Sequence, residues 1–124
     1  MLINISFKEK DEAERFFLVC IIGLTEALLE NSISIEDAEK ALFSPYSMRI
    51  LTEKGISENI IELVGLGTEL EDIESLLPDK LKCEIQEIKK KAMGELSQRM
   101  LRENEMYKML KGKILEINYL KTWV

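Results

Sequence analysis

Phe16-Phe17-Leu18-Val19-Cys20-Ile21-Ile22-Gly23-Leu24 is the stretch on which the fold depends. None of its nine residues is charged or strongly polar. It is too short to span a bilayer. As a secretory signal it also fails, because Glu and Lys mix in the segment before it and no small-residue cleavage site follows. The flanks are helical in character, so the first long helix is expected over Lys8–Asn31. Glu9, Asp11, Glu12 and Glu14 load its first turns with negative charge, which suits the helix dipole. Ala13, Phe16, Phe17, Val19, Cys20, Leu24, Ala27 and Leu28 form a broad stripe, and Leu18, Ile21, Ile22 and Leu29 add apolar surface elsewhere. A helix apolar on nearly every side is buried by neighbours on several sides. A buried strand is the alternative for Phe16–Ile22.

Helix signals continue outward from that core. Ser34 with Asp37 three residues on forms an N-cap pair, which starts a short helix over Ile35–Phe43. Ser44-Pro45 starts another, with Pro45 at the first helical position and Gly55 closing it. Tyr46, Met48, Ile50 and Leu51 are its expected apolar contacts. Ser57 caps the next helix, from which Ile60, Ile61 and Val64 face inward. Gly65 and Gly67 are then expected to break it. Thr68 with Glu71 spells a capping box, so a further helix is expected over Glu69–Leu77, stopped by Pro78. At about 100° per residue, Leu70, Ile73, Leu76 and Leu77 share one arc, while Glu71, Asp72 and Glu74 point away from it. Glu69 projects into the apolar arc, an anomalous position for a carboxylate.

Asp79–Lys111 is the longest helical stretch. Leu81, Ile85, Ile88, Ala92 and Leu96 make its stripe, joined by Met93, Met100, Tyr107 and Leu110. Unbroken, it would span roughly 50 Å. A globule of this chain length is only about 35 Å across. The helix must therefore bend near Gly94 or Asn104, or project and pack on another molecule. At the ends, Leu2–Phe7 and Ile114–Leu120 alternate apolar and polar residues, as short strands do. The fold class is thus mainly α: one domain over 1–124, a compact multi-helix bundle around one buried apolar helix, with a minor two-stranded β pairing of the chain termini.

Composition narrows function by exclusion. The chain of 124 residues contains no His, which removes the usual general base near neutral pH and the commonest transition-metal ligand. Cysteine catalysis needs a base beside the thiol, and Cys20 sits in an apolar run. Gly65-x-Gly67 lacks the third glycine of a dinucleotide loop, since Leu70 stands there. Neither an EF-hand spacing nor a Glu-x-x-His pair is present, so no cofactor or metal is expected. A formal charge of −6 argues against nucleic acid. With two scattered cysteines the chain reads as a reduced cytoplasmic protein that does not enter a membrane.

The charge is split along the chain. Residues 1–78 carry 16 acids against 6 bases, a net −10, whereas residues 79–124 carry 7 against 11, a net +4. Such halves could attract within one molecule or between two. Lys89-Lys90-Lys91, with Lys80, Lys82, Arg99 and Arg102, makes the back helix basic, although Glu84, Glu87 and Glu95 interrupt that face. Met93, Met100, Met106 and Met109 suit either an adaptable binding surface or ordinary core and dimer filling.

Two motifs, Ala41-Leu42-Phe43-Ser44-Pro45 and Gly65-Leu66-Gly67-Thr68-Glu69-Leu70-Glu71-Asp72-Ile73-Glu74-Ser75-Leu76-Leu77-Pro78, make the chain resemble a family of short bacterial proteins of unknown function. The resemblance covers the apolar helix through Pro78 and part of the following helix. It implies no catalytic residues. By analogy of class, small bacterial proteins of this sort often serve as immunity or antitoxin proteins.

The expected function is therefore a non-enzymatic protein-binding module of immunity, inhibitor or adaptor type. Its partner would be another protein, basic in character, met by Glu69, Glu71, Asp72 and Glu74. One rival reading is a helical homodimer built through residues 79–111. Another is a small carboxylate-dependent enzyme, which would need Glu69 in a closed pocket with a second acid.

Overall fold

A salt bridge between Glu26 and Lys89 and another between Glu14 and Arg99 fix how the chain folds back on itself. As the number on one helix rises, that on the other falls, so the first and last helices run antiparallel. The computed structural model describes residues 6–111, with side chains described through Arg102. Among the described residues the order is α1 (Lys10–Leu29), α2 (Ile35–Ala41), α3 (Pro45–Glu53), α4 (Glu58–Thr68), α5 (Leu70–Leu76), a 3₁₀ turn (Pro78–Lys80) and α6 (Leu81–Lys111). The fold is mainly helical. No strand occurs among the described residues, where Ser6 and Phe7 are irregular. The expected terminal pairing falls at Leu2–Ile5 and Ile114–Leu120, outside the described residues.

Helix ends follow local chemistry closely. Ser34 and Asp37 form a complete capping box, each side chain accepting the other's backbone N–H, at 3.1 and 2.9 Å. Ser44 accepts from the Ser47 N–H at 3.2 Å, with Pro45 at the first helical position. The end of α3 is a paired-bond cap: Ile56 N–H donates to Leu51 and Gly55 N–H to Thr52, with Gly55 at φ +76°. At the end of α1 the same arrangement uses Asn31 at φ +57°, with Ser32 donating to Ala27 and Asn31 to Leu28. Asn tolerates that backbone better than other residues with a Cβ.

The core row of α1 is Leu18, Ile21, Thr25 and Leu28, at positions three and four apart. Thr25 is buried but satisfied, its hydroxyl donating back to the carbonyls of Ile21 and Ile22 at 2.9 Å each. The helix packs on α6, α4 and α2. It is not covered on every side, because Val19 is 55% exposed and Gly23 also faces out. On α6 the expected stripe holds: Ile85, Ile88 and Ala92 are buried, with Leu81 and Leu96 packed against them. Met93 and Met100 do not join it and are exposed, whereas Tyr107 and Leu110 fall beyond the described side chains. Tyr46 is also exposed rather than packed, with the Arg49 guanidinium 5.3 Å from its ring centre.

The largest departure from expectation lies at Gly65 and Gly67. They do not break the helix; α4 runs through both to Thr68. The reason is Phe43, fully buried, whose ring lies against the Gly67 backbone. A Cβ on Gly67 would sit 2.5 Å from Phe43 Cδ1, so the position requires a missing side chain. Burying that ring is worth about 1.5–3 kcal/mol, more than the cost of one glycine in a helix. The Thr68–Glu71 capping box is absent as well. Thr68 is still helical, and its hydroxyl donates to the Val64 carbonyl at 2.9 Å. The junction between α4 and α5 is Glu69, which keeps nearly helical angles (φ −80°, ψ −10°).

Helix α6 continues through Gly94 and Asn104 to Lys111 without interruption. Its 31 residues span about 46 Å. The register of the Glu14–Arg99 pair places its last turns past the start of α1.

Candidate functional site

The four carboxylates expected to bind a partner lie on the surface around α5. Glu71, Asp72 and Glu74 are exposed, as expected of residues facing away from Leu70, which is completely buried. Glu69 is exposed too. The anticipated inward position fails because the arc it shares with Ile73 and Leu76 is not buried: Ile73 is half-buried and Leu76 faces solvent, and only Leu70 reaches the core. Leu76 and Leu77 are a second correction. They were expected in the buried arc, yet they are 76% and 52% exposed. Helix α5 ends at Leu76, so Leu77 leaves the helical arc before Pro78 turns the chain into α6.

A fifth carboxylate, Glu39, joins this surface from α2, which packs against α5. Hydrogen bonding with the Glu71 carboxyl, burial, and the charges of Glu71, Glu36 and Asp72 hold its pKa above the ordinary value. Lys40 offsets part of the charge through Glu36 at 3.1 Å, and that contact raises the lysine pKa in turn. The surface is therefore an acidic field over α2 and the start of α5, with two exposed leucines one turn further on. No group of His, Cys, Asp and Glu among the described residues is arranged to hold a metal ion. Cys20 and Cys83 are free thiols; burial pushes the Cys20 thiol up and away from the reactive thiolate form.

A second polar constellation is buried between α1, α4 and α6. Arg99 Nη1 donates to Glu14 Oε1 at 2.5 Å, and Nη2 donates to Ser57 Oγ at 3.2 Å. The Ser57 backbone N–H donates to Glu14 Oε2 at 2.7 Å. Ser57 thus stands at the N-cap of α4 as expected, but its hydroxyl serves Arg99 instead of capping its own helix. Asp11 and Lys10 lie further out, 3.8 Å from the guanidinium and from the Glu14 carboxylate respectively. Arg99 Nε is buried without a partner among the described residues. Both Glu14 oxygens and two guanidinium nitrogens are engaged within the network, so it acts as a clasp on three helices.

By position in the sequence alone, Glu14 reads as helix-dipole compensation and Arg99 as part of a basic face. A signal for the clasp did exist. Glu14 stands four residues before Leu18 on the core row of α1, and Arg99 stands seven after Ala92 on that of α6. A lone acid and a lone base, each continuing an apolar row on a different helix, are candidates for a buried pair.

One family model matches this chain, over residues 8–111. The chain belongs to the family described as Protein of unknown function (DUF3969). The match spans α1 to α6 and so includes both the acidic surface and the clasp. No curated protein and no solved structure matches the chain. No helix among the described residues is long and apolar enough to cross a membrane.

Proposed function

We propose that this DUF3969 chain is a non-catalytic, cytoplasmic protein-binding module whose acidic α2–α5 surface docks a basic protein. The observation that carries the reading is the exposure of Glu69, Glu71, Asp72 and Glu74 around α5, with Glu36 and Glu39 on the adjoining α2. Like charges held together at a surface cost free energy, and a cationic partner removes that cost on binding. The exposed Leu76 and Leu77 supply the apolar contact that such a charged rim lacks. An exposed Glu69 supports binding over carboxylate catalysis, which would need it enclosed with a second acid. The immunity or inhibitor role suggested by the bacterial resemblance fits this chemistry.

Affinity capture from the native host at low salt tests the proposal. Wild type should recover a specific basic protein, and a variant with Glu71, Asp72 and Glu74 all changed to Ala should lose it. Equal recovery by both rejects the acidic surface as the docking site.

A homodimer through residues 79–111 is the second reading, favoured by Met93 and Leu101, which are 49% and 62% exposed on α6. Light scattering decides it: a monomer at high concentration removes this reading.

A further inference from the structure

An apolar groove opens between α1 and α6 on a face distinct from the acidic surface. Its volume is 580 Å³, and Phe7, Phe16, Val19, Leu96 and Met100 line it. Phe7 and Phe16 stack with ring centres 5.2 Å apart, and Phe16 meets Phe17 edge-on at 5.6 Å. Val19, Met100 and Phe7 are 55%, 44% and 36% exposed. Contiguous aromatic and aliphatic surface of this kind is rarely left open to water.

We propose that the groove is the docking site of residues 112–124 of the same chain. Position and length support this occupant. Helix α6 delivers the chain to Lys111, which is 11 residues, or about 16 Å, beyond Met100 on the same helix. The 13 residues that follow can span up to ~43 Å, ample to return along the groove past Val19. Composition supports it as well. Ile114, Leu115, Ile117, Tyr119, Leu120 and Trp123 make this segment far more apolar than α6, which precedes it. Lys113 and Lys121 lie on either side of Ile114–Leu120, and Glu12 stands on the rim of the groove beside Arg15. The occupant lies outside the residues matched by the family, whereas the groove lies almost wholly within them. The proposal does not depend on the acidic surface, and either can fail alone.

Trp123 is the sole tryptophan of the chain and serves as the reporter. The full-length protein is excited where only tryptophan absorbs, at a concentration where light scattering shows a monomer. Expected are a blue-shifted emission and acrylamide quenching several-fold weaker than in urea. Val19→Asp should shift the emission red and restore quenching. The substitution is at an exposed position, and an unchanged circular dichroism spectrum shows that the helices persist. Leu76→Asp, on the acidic face, should change neither readout. A water-exposed Trp123 in the wild type overturns the proposal. So does a protected Trp123 that Val19→Asp leaves untouched. Protection that appears only as the protein dimerises shows that a second copy fills the groove, and overturns it too.

Discussion

Arg99 and Glu14, 85 residues apart, meet at 2.5 Å with side chains only 9% and 5% exposed. The pair is held at the crossing of α1 and α6, and Ser57 ties α4 to it. Removing one partner leaves the other charged and buried, at a cost of about 3–5 kcal/mol. Arg99→Ala and Glu14→Ala should each lower the unfolding free energy read from a urea titration by that order. Changing both to well-packed apolar residues should recover much of the loss. Because the pair is shielded from solvent, raising salt should change the difference between wild type and Arg99→Ala little.

Two glycines within helices should respond in opposite directions to the same substitution. Gly67→Ala drives a methyl group into the Phe43 ring, an overpacking cost of about 1–3 kcal/mol. Gly23→Ala meets nothing within 4 Å and replaces a poor helix former, a gain of about 0.5–1 kcal/mol. Thermal unfolding followed by circular dichroism checks both. A destabilised Gly23→Ala would mean that the exposed side of α1 is covered in solution.

The contact between Glu39 and Glu71 predicts a pH dependence. The folded-state pKa of Glu39 lies above its unfolded value, so the folded chain holds this proton more tightly. Stability from this group is present below the ordinary carboxylate pKa and falls as pH rises through the raised one. Glu39→Gln should therefore stabilise the protein at neutral pH and make no difference in acid. Asp37 has the opposite sign. The Ser34 backbone and side-chain hydrogen bonds lower its pKa, so its contribution is present at neutral pH and lost as pH falls through the depressed value. Denaturation series of Glu39→Gln and Asp37→Asn across acid and neutral pH should thus diverge in opposite directions from the wild type.

Leu76 and Leu77 should matter for binding and not for folding. Both are exposed, so Leu76→Ser and Leu77→Ser should leave the melting temperature nearly unchanged. If they anchor the basic partner, each should weaken the complex by more than about 1 kcal/mol, as only a minority of interface residues do. Titration calorimetry with the captured partner measures this.

Much of the architecture was legible because it is written locally. Ser34 with Asp37, Ser44 with Pro45 and the positive-φ Gly55 each act within a few residues, and each behaves as its sequence predicts. The apolar row of α6 was readable from its spacing for the same reason. Less was legible at the candidate site. Glu71, Asp72 and Glu74 face solvent as expected, but Glu39 comes from a separate helix and enters only because α2 packs on α5.

The sequence by itself determined that this is a helical protein, where most of its helices start and stop, and how its charge divides along the chain. Those properties follow from hydrogen bonds within a turn and from the helical period. Tertiary packing decided the fate of Phe16–Leu24, the stretch from which the fold was read. Its burial depends on which neighbours arrive, so Leu18 and Ile21 became core while Val19 stayed at the edge of an open groove. The same is true of Gly67, kept within a helix by the ring of Phe43, and of Glu14 and Arg99, drawn into the core by each other. Which residues tens of positions apart will meet is not written in the local sequence of either one. Breaking one side of such a contact costs more than a single propensity or cap is worth, and so the contact overrides them.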